Sequence, residues 1–164
     1  MSYLEKGYLD IENITAPDSG RLKKGPVAVI ECVQEIPCNP CTTSCPRGAI
    51  TIEGSINSLP VLDPEKCNGC SLCVANCPGL AIFLIDYTFS EDKAKIGIPY
   101  EFRPLPEKGE EVILINRAGK ECGTGMVEQV RNSKAMDRTP IVFISLDKEL
   151  AMEARFFRRK EDEK

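Results

Sequence analysis

Four cysteines within eleven residues are the first feature of this sequence that can do chemistry: Cys67-Asn68-Gly69-Cys70-Ser71-Leu72-Cys73-Val74-Ala75-Asn76-Cys77, followed by Pro78. Thiolates are soft ligands, and the spacing C-x2-C-x2-C-x3-C-P is the one that wraps an iron–sulfur cubane. Three thiolates grip three corners from one loop. The fourth sits on the following helix and points the other way, and the proline turns the chain away from the site. Zinc also uses C-x2-C pairs, but its ribbons set two pairs far apart instead of gathering four thiols in one short run. Histidine is absent from all 164 residues. Its absence removes Cys/His zinc fingers and the commonest general base.

An incomplete copy precedes this run: Cys38-Asn39-Pro40-Cys41-Thr42-Thr43-Ser44-Cys45-Pro46. A shift of 32 residues lays Cys38, Cys41, Cys45 and Pro46 on Cys70, Cys73, Cys77 and Pro78. The same shift lays Val29-Ile30 on Val61-Leu62 and Ala49-Ile50 on Ala81-Ile82, with no gap. One strand–loop–helix–strand unit used twice accounts for this pattern. In that register the partner of Cys67 is Glu35, and Cys32 falls opposite Pro64, three residues too early.

On these motifs, residues 27–86 resemble a two-cluster bacterial-type ferredoxin domain with a pseudo-twofold axis between its halves. The resemblance implies two 4Fe–4S clusters, with the fourth cysteine of each run ligating the other cluster. Carried over, one cluster takes Cys67, Cys70, Cys73 and Cys45. The other takes Cys38, Cys41 and Cys77, and its fourth corner has three solutions. Cys32 supplies a thiolate, or Glu35 supplies an oxygen, or the cluster is a three-iron form. Cys32 is favoured because an extra cysteine just upstream of the gap is hard to explain otherwise; the bland alternative is a small buried side chain on a strand.

The elements that must position these thiols are legible in outline. The expected fold class is α+β: a duplicated iron–sulfur domain (27–88), a small mostly-β, barrel-like region (89–146), and a C-terminal helix and tail (147–164). Residues 1–26 read as an extended N-terminal arm, with Gly, Pro, Asp and Lys among scattered apolar residues. Val27–Ile30 and Leu80–Ile85 have strand length, and short helices should begin near Cys41 and Cys73. Ile96–Phe102, Val112–Asn116, Cys122–Val130 and Ile141–Leu146 read as strands, separated by turn signals such as Lys108-Gly109 and Ala118-Gly119. Gly123 and Gly125 mark a bulge or bend, and no helix follows them to make a phosphate cradle. Cys122 reads as a core thiol. Leu150, Ala154 and Phe157 recur at i, i+4 and i+7, the pattern of an amphipathic helix capped by Asp147, with Arg155, Arg158, Arg159 and Lys160 as a solvated basic face.

Composition narrows the function. Lys and Arg number 21 against 25 Asp and Glu, a net charge of −4 with no basic field for nucleic acid. No apolar run approaches the roughly 20 residues that span a bilayer. Met1–Lys6 lacks the basic start and apolar stretch of a signal peptide, so a cytoplasmic location is expected. No Ser/His/Asp set and no dinucleotide fingerprint is present, so the expected role is a carrier of single electrons without a catalytic site of its own. The segment from Arg21 to Cys45 and Asp137-Arg138-Thr139-Pro140 also resemble the small ferredoxin subunits of flavin-dependent amine and amino-acid dehydrogenases of anaerobic prokaryotes, the multi-subunit proline dehydrogenase type. That resemblance implies flavin-bearing partner subunits and a relay from flavin to an external acceptor. An independent soluble ferredoxin, or a structural or sensing iron–sulfur protein, are the alternatives.

Overall fold

The computed structural model describes residues 1–160. Its principal strands are β1 (Val27–Ile30), β4 (Ile82–Asp86), β5 (Lys93–Pro99), β6 (Glu111–Asn116), β7 (Glu121–Arg131), β8 (Ile141–Asp147) and β9 (Ala154–Arg159). These seven form one antiparallel sheet in the order β1-β4-β5-β8-β7-β6-β9. Two shorter strands, β2 (Ile50–Thr51) and β3 (Val61–Leu62), pair as a separate ribbon. The helices are short: α1 (Tyr3–Lys6), α2 (Ser19–Leu22), α3 (Pro40–Thr43) and α4 (Leu72–Asn76). Among the described residues, no helix is long and apolar enough to cross a membrane.

Both faces of the sheet's middle are buried, which is why β4 and β8 read as nearly unbroken apolar runs. Side chains alternate across a strand. Val27, Val29, Ile96, Ile98, Val142, Ile144 and Leu146 therefore point into one core with Val112, Leu114 and Phe157. Ala28, Ile82, Leu84, Ile141 and Phe143 point to the other side, where they meet Cys41, Cys73, Val74 and Ala75 of α3 and α4. The thiol-bearing helices are thus pinned to the back of a rigid sheet. β4 pairs with β5 through Leu84–Gly97, Ile85–Ile96 and Asp86–Lys95. The sheet therefore runs without a break across the boundary drawn at residue 88.

The 32-residue shift reappears in the hydrogen bonding. Ile30 opposes Ile82 and Val29 opposes Phe83; their equivalents, Leu62–Ile50 and Val61–Thr51, are paired as well. The Glu31 N–H donates to the Ala81 carbonyl at 2.8 Å, and the Asp63 N–H donates to the Ala49 carbonyl at 2.7 Å. Gly48 and Leu80 both take left-handed backbone, and their N–H groups donate to the carbonyls of Cys45 and Cys77 at 3.2 and 3.1 Å.

The two ends of the chain depart from the sequence reading. The N-terminal arm is not extended: α1, a 3₁₀ turn at Ile11–Asn13 and α2 fold it into short helical turns. Asp18 caps α2, accepting from the N–H groups of Gly20 and Arg21 at 2.8 and 3.0 Å. In place of a C-terminal helix stand a 3₁₀ turn at Lys148–Leu150 and strand β9; residues 161–164 of the expected helix and tail lie outside the described residues. The reason is a bulge. β9 pairs with β6 through Ile115–Phe156 and then Asn116–Ala154, which leaves Arg155 as the extra residue. The bulge changes the strand's phase, so Ala154 and Phe157 share the core face at a spacing of three, which imitates helical periodicity. The expected basic face is consumed in ion pairs as well. Arg158 meets Glu121, Arg159 meets Glu110 at 2.5 Å, and Lys160 meets Glu111 at 2.9 Å. A second bulge falls beside Gly123, where Leu114 opposes Gly123 but Ile115 opposes Glu121 and Cys122 is the extra residue; Gly125 stays in regular register opposite Val112.

Candidate metal centre

Two tight turns shape the Cys67–Cys73 loop. Gly69 and Ser71 have positive φ of 70° and 66°. A Cβ on Gly69 would lie 2.6 Å from Cγ of Pro26, so glycine is required by space as well as by torsion. The Asn68 side chain accepts from the Cys70 N–H at 3.2 Å, and α4 then starts directly after Ser71. The loop and the neighbouring strands form a small, tight pocket lined by Cys45, Cys67, Cys70 and Cys73, with Ala28 and Leu84 among its apolar wall. The fourth cysteine of the first run therefore stands with the first three of the second.

The thiols' mutual electrostatics divide them in the same way. Burial pushes the Cys73 thiol up to about 12, and the neighbouring Cys67, Cys70 and Cys45 add to the rise. Burial likewise raises the Cys41 thiol, helped by Cys77, Cys38 and Cys32 and opposed by a hydrogen bond from the Thr42 N–H. Two groups result: Cys45, Cys67, Cys70 and Cys73, hereafter the Cys67 group; and Cys32, Cys38, Cys41 and Cys77, hereafter the Cys38 group. Glu35 stands on the exposed stretch between Cys32 and Cys38. Cys122 lies apart, half-buried at its bulge against the sheet core, with burial raising its thiol.

Both groups suit a sulfide-bridged iron cluster in the chemistry of their donors. The side chains grouped in each are all thiols, and the pocket at the Cys67 group has a largely apolar wall. Each crossing cysteine also accepts a backbone hydrogen bond at sulfur: the Ala49 N–H to Cys45 Sγ at 3.3 Å, and the Ala81 N–H to Cys77 Sγ at 3.4 Å. Such bonds stabilise charge on a ligating sulfur. Among the described residues, no three Cys, Asp or Glu side chains converge as they would about a single ion. Thiols made harder to ionise by burial must lose their protons when they bind metal, so binding is coupled to pH.

Residues 31–81 match the family of the 4Fe-4S dicluster domain. This segment is an iron–sulfur, ferredoxin-type domain. It holds eight of the nine cysteines. Over 76 residues the chain is 33% identical to the aliphatic sulfonate oxidoreductase, polyferredoxin-like subunit, of Pyrococcus furiosus, covering 43% of each protein. Over 49 residues it is 45% identical to a subunit of the ion-translocating oxidoreductase complex of Methanosarcina acetivorans, covering 30% of this chain and 17% of that protein. The chain thus spans less than half the length of these relatives. No solved structure matches it.

The iron–sulfur domain is gripped by charged residues that the sequence reading did not assign to the site. Arg21 of α2 is 4% exposed. Its guanidinium donates to the carbonyls of Pro64, Gly25, Pro26 and Cys67 at 2.6, 3.0, 2.9 and 2.8 Å. Arg131, at the end of β7, donates to the Cys70 carbonyl at 3.1 Å and to Ser71 Oγ at 2.8 Å. Beside Cys32, Glu31 binds Arg117 through both carboxylate oxygens, at 2.9 and 2.7 Å, and Arg155 at 2.5 Å. Burial alone would raise the Glu31 carboxyl; the hydrogen bond from Arg117 and the charge of Arg155 outweigh it and hold the group below the ordinary carboxylate range. The bulge in β9 is what turns Arg155 inward. A lone arginine gives no periodic signal, so these contacts are visible only once the sheet has formed.

Proposed function

We propose that this protein is an electron-transfer subunit that relays single electrons between a flavin-bearing partner subunit and an external acceptor. In this reading the Cys67 group and the Cys38 group each hold a 4Fe–4S cluster, and Cys32 completes the second. A 4Fe–4S cluster, when bound, accepts and returns one electron. The chain's own contribution is to hold two such sites on the back of one sheet, so that an electron entering at one leaves by the other.

The observation that carries the reading is the exchange of cysteines between the two runs. Cys45 lines the cavity of the second run, and Cys77 raises the thiol of Cys41 in the first. Two sites that each borrow a ligand from the other's sequence are necessarily close. The Glu31–Arg117–Arg155 network supports Cys32 over Glu35 as the fourth ligand, because it fixes the backbone next to Cys32 while Glu35 stands exposed. Both relatives are subunits of larger oxidoreductases, which supports a multi-subunit setting. The resemblance to the small subunits of amine and amino-acid dehydrogenases supplies the flavoprotein partner.

The test is anaerobic purification of the tagged chain from its own cells, with iron and sulfide counted per chain, EPR before and after dithionite, and flavin absorbance of co-purifying chains. About eight irons and a bound flavoprotein are expected. A monomer that retains its clusters but binds no flavoprotein identifies an independent ferredoxin instead, and about four irons leave no relay. Cys32→Ser and Glu35→Ala then separate the two ligand assignments by which of them reduces the iron count.

A further inference from the structure

Residues outside the iron–sulfur domain charge its two sites unequally. Arg21 comes from the N-terminal arm and Arg131 from the far end of β7, yet both guanidiniums end on the Cys67–Cys73 loop. Arg21 donates only to backbone carbonyls, including that of Cys67 at 2.8 Å. Arg131 donates to the Cys70 carbonyl and Ser71 Oγ and lies 4.8 Å from the centre of the Phe143 ring. None of these partners is anionic. A guanidinium stays charged in any protein environment, so the loop that supplies three of the four thiols of the Cys67 group carries two positive charges to which, among the described residues, no carboxylate is bound. Arg47 lines the same cavity.

At Cys32 the balance differs. Arg117 and Arg155 are both bound to Glu31, whose carboxylate cancels one of the two charges. Reduction adds an electron to a site already surrounded by thiolates, so a nearby uncompensated cation stabilises the reduced form more than the oxidised one. Buried charge does this with little screening by salt.

We infer that Arg21 and Arg131 set the Cys67 group at the more positive reduction potential of the two sites, which makes it the place where a single electron rests. The inference builds on the reading that both groups hold clusters. Arg21 and Arg131 are positioning residues in this role: they touch the ligand loop, not the reacting atoms. They also give the segments outside the iron–sulfur domain a redox task.

An EPR-monitored redox titration of the whole protein tests it, using Arg131→Gln, Arg21→Gln, Arg131→Lys and Cys32→Ala. In Arg131→Gln the higher-potential wave should move negative until the electron's preference for that site has fallen about tenfold, equivalent to about 59 mV for one electron. The lower wave should move less. Arg131→Lys keeps the charge and should recover more than half of the shift. Cys32→Ala should alter the lower wave and leave the upper one in place, which assigns the waves. A static upper wave in Arg131→Gln, or its loss in Cys32→Ala, overturns the inference. Should Arg131→Gln shed its iron, Arg21→Gln carries the same comparison. An iron content below that of two cubanes in the unaltered chain instead overturns the two-cluster reading beneath it, so the two failures are distinguishable.

Discussion

Glu31→Gln removes the carboxylate that two buried guanidiniums share and nearly preserves its shape. The Glu31 side chain is 7% exposed, that of Arg155 5% and that of Arg117 12%. Breaking a buried pair by deleting one partner typically costs 3–5 kcal/mol, because a desolvated charge is left without compensation. Gln keeps one carbonyl acceptor, which places the expected cost near the lower end, about 3 kcal/mol. With a urea slope of about 2 kcal/mol per molar, the unfolding midpoint should fall by about 1.5 M. The assay is far-UV circular dichroism under anaerobic conditions, at equal iron content, since a cofactor lost on unfolding adds its own binding free energy to each midpoint.

The repeat supplies the control for this substitution. Asp63 occupies the equivalent position and makes the equivalent backbone bond to Ala49, but its carboxylate is exposed, pairing with the exposed Lys66 at 3.3 Å and accepting from the Glu65 N–H at 3.1 Å. Asp63→Asn should leave the midpoint unchanged. Glu31 is held below the usual carboxylate range in the folded protein. Its contribution is therefore fully present above its unfolded pKa of about 4.3 and is lost as pH falls through the lower folded value. The gap between wild type and Glu31→Gln should accordingly be flat near neutrality and close in acid. Equal midpoints for the two proteins at neutral pH would refute the reasoning, as would an equal penalty for Asp63→Asn.

Three further outcomes follow from local geometry. Gly69→Ala combines a positive φ with a Cβ 2.6 Å from Pro26; it should cost about 1–3 kcal/mol of loop strain, read as iron lost on dialysis, and full iron retention would contradict it. Phe157→Ala empties a position that is 1% exposed and stacked on Tyr100 at 4.8 Å. It should cost about 3–5 kcal/mol by urea unfolding, whereas a change below about 0.5 kcal/mol would place residues 154–159 outside the core. Iodoacetamide on the iron-loaded protein at neutral pH should add one slow adduct, on Cys122, because a thiol raised by burial is a poor nucleophile. Peptide mass mapping that finds Cys32 alkylated in the loaded protein would remove it from the ligand set.

Chemistry written in consecutive residues was legible from the sequence alone. Cysteine intervals, the trailing prolines and the 32-residue shift depend on local geometry that a few residues enforce, and the same shift recurs in the hydrogen bonds of Glu31 and Asp63. Strands β5 to β8 were legible for the same reason, since alternation and flanking turns are local signals. β9 was not. Its bulge at Arg155 exists only because β6 lies alongside, and the resulting spacing of Ala154 and Phe157 reads as a helix in one dimension. Arg21, Arg131 and the Glu31–Arg117–Arg155 network were equally hidden. A guanidinium tens of residues from its partner leaves no periodic trace, and only the folded sheet brings these charges onto the loops that carry the thiols.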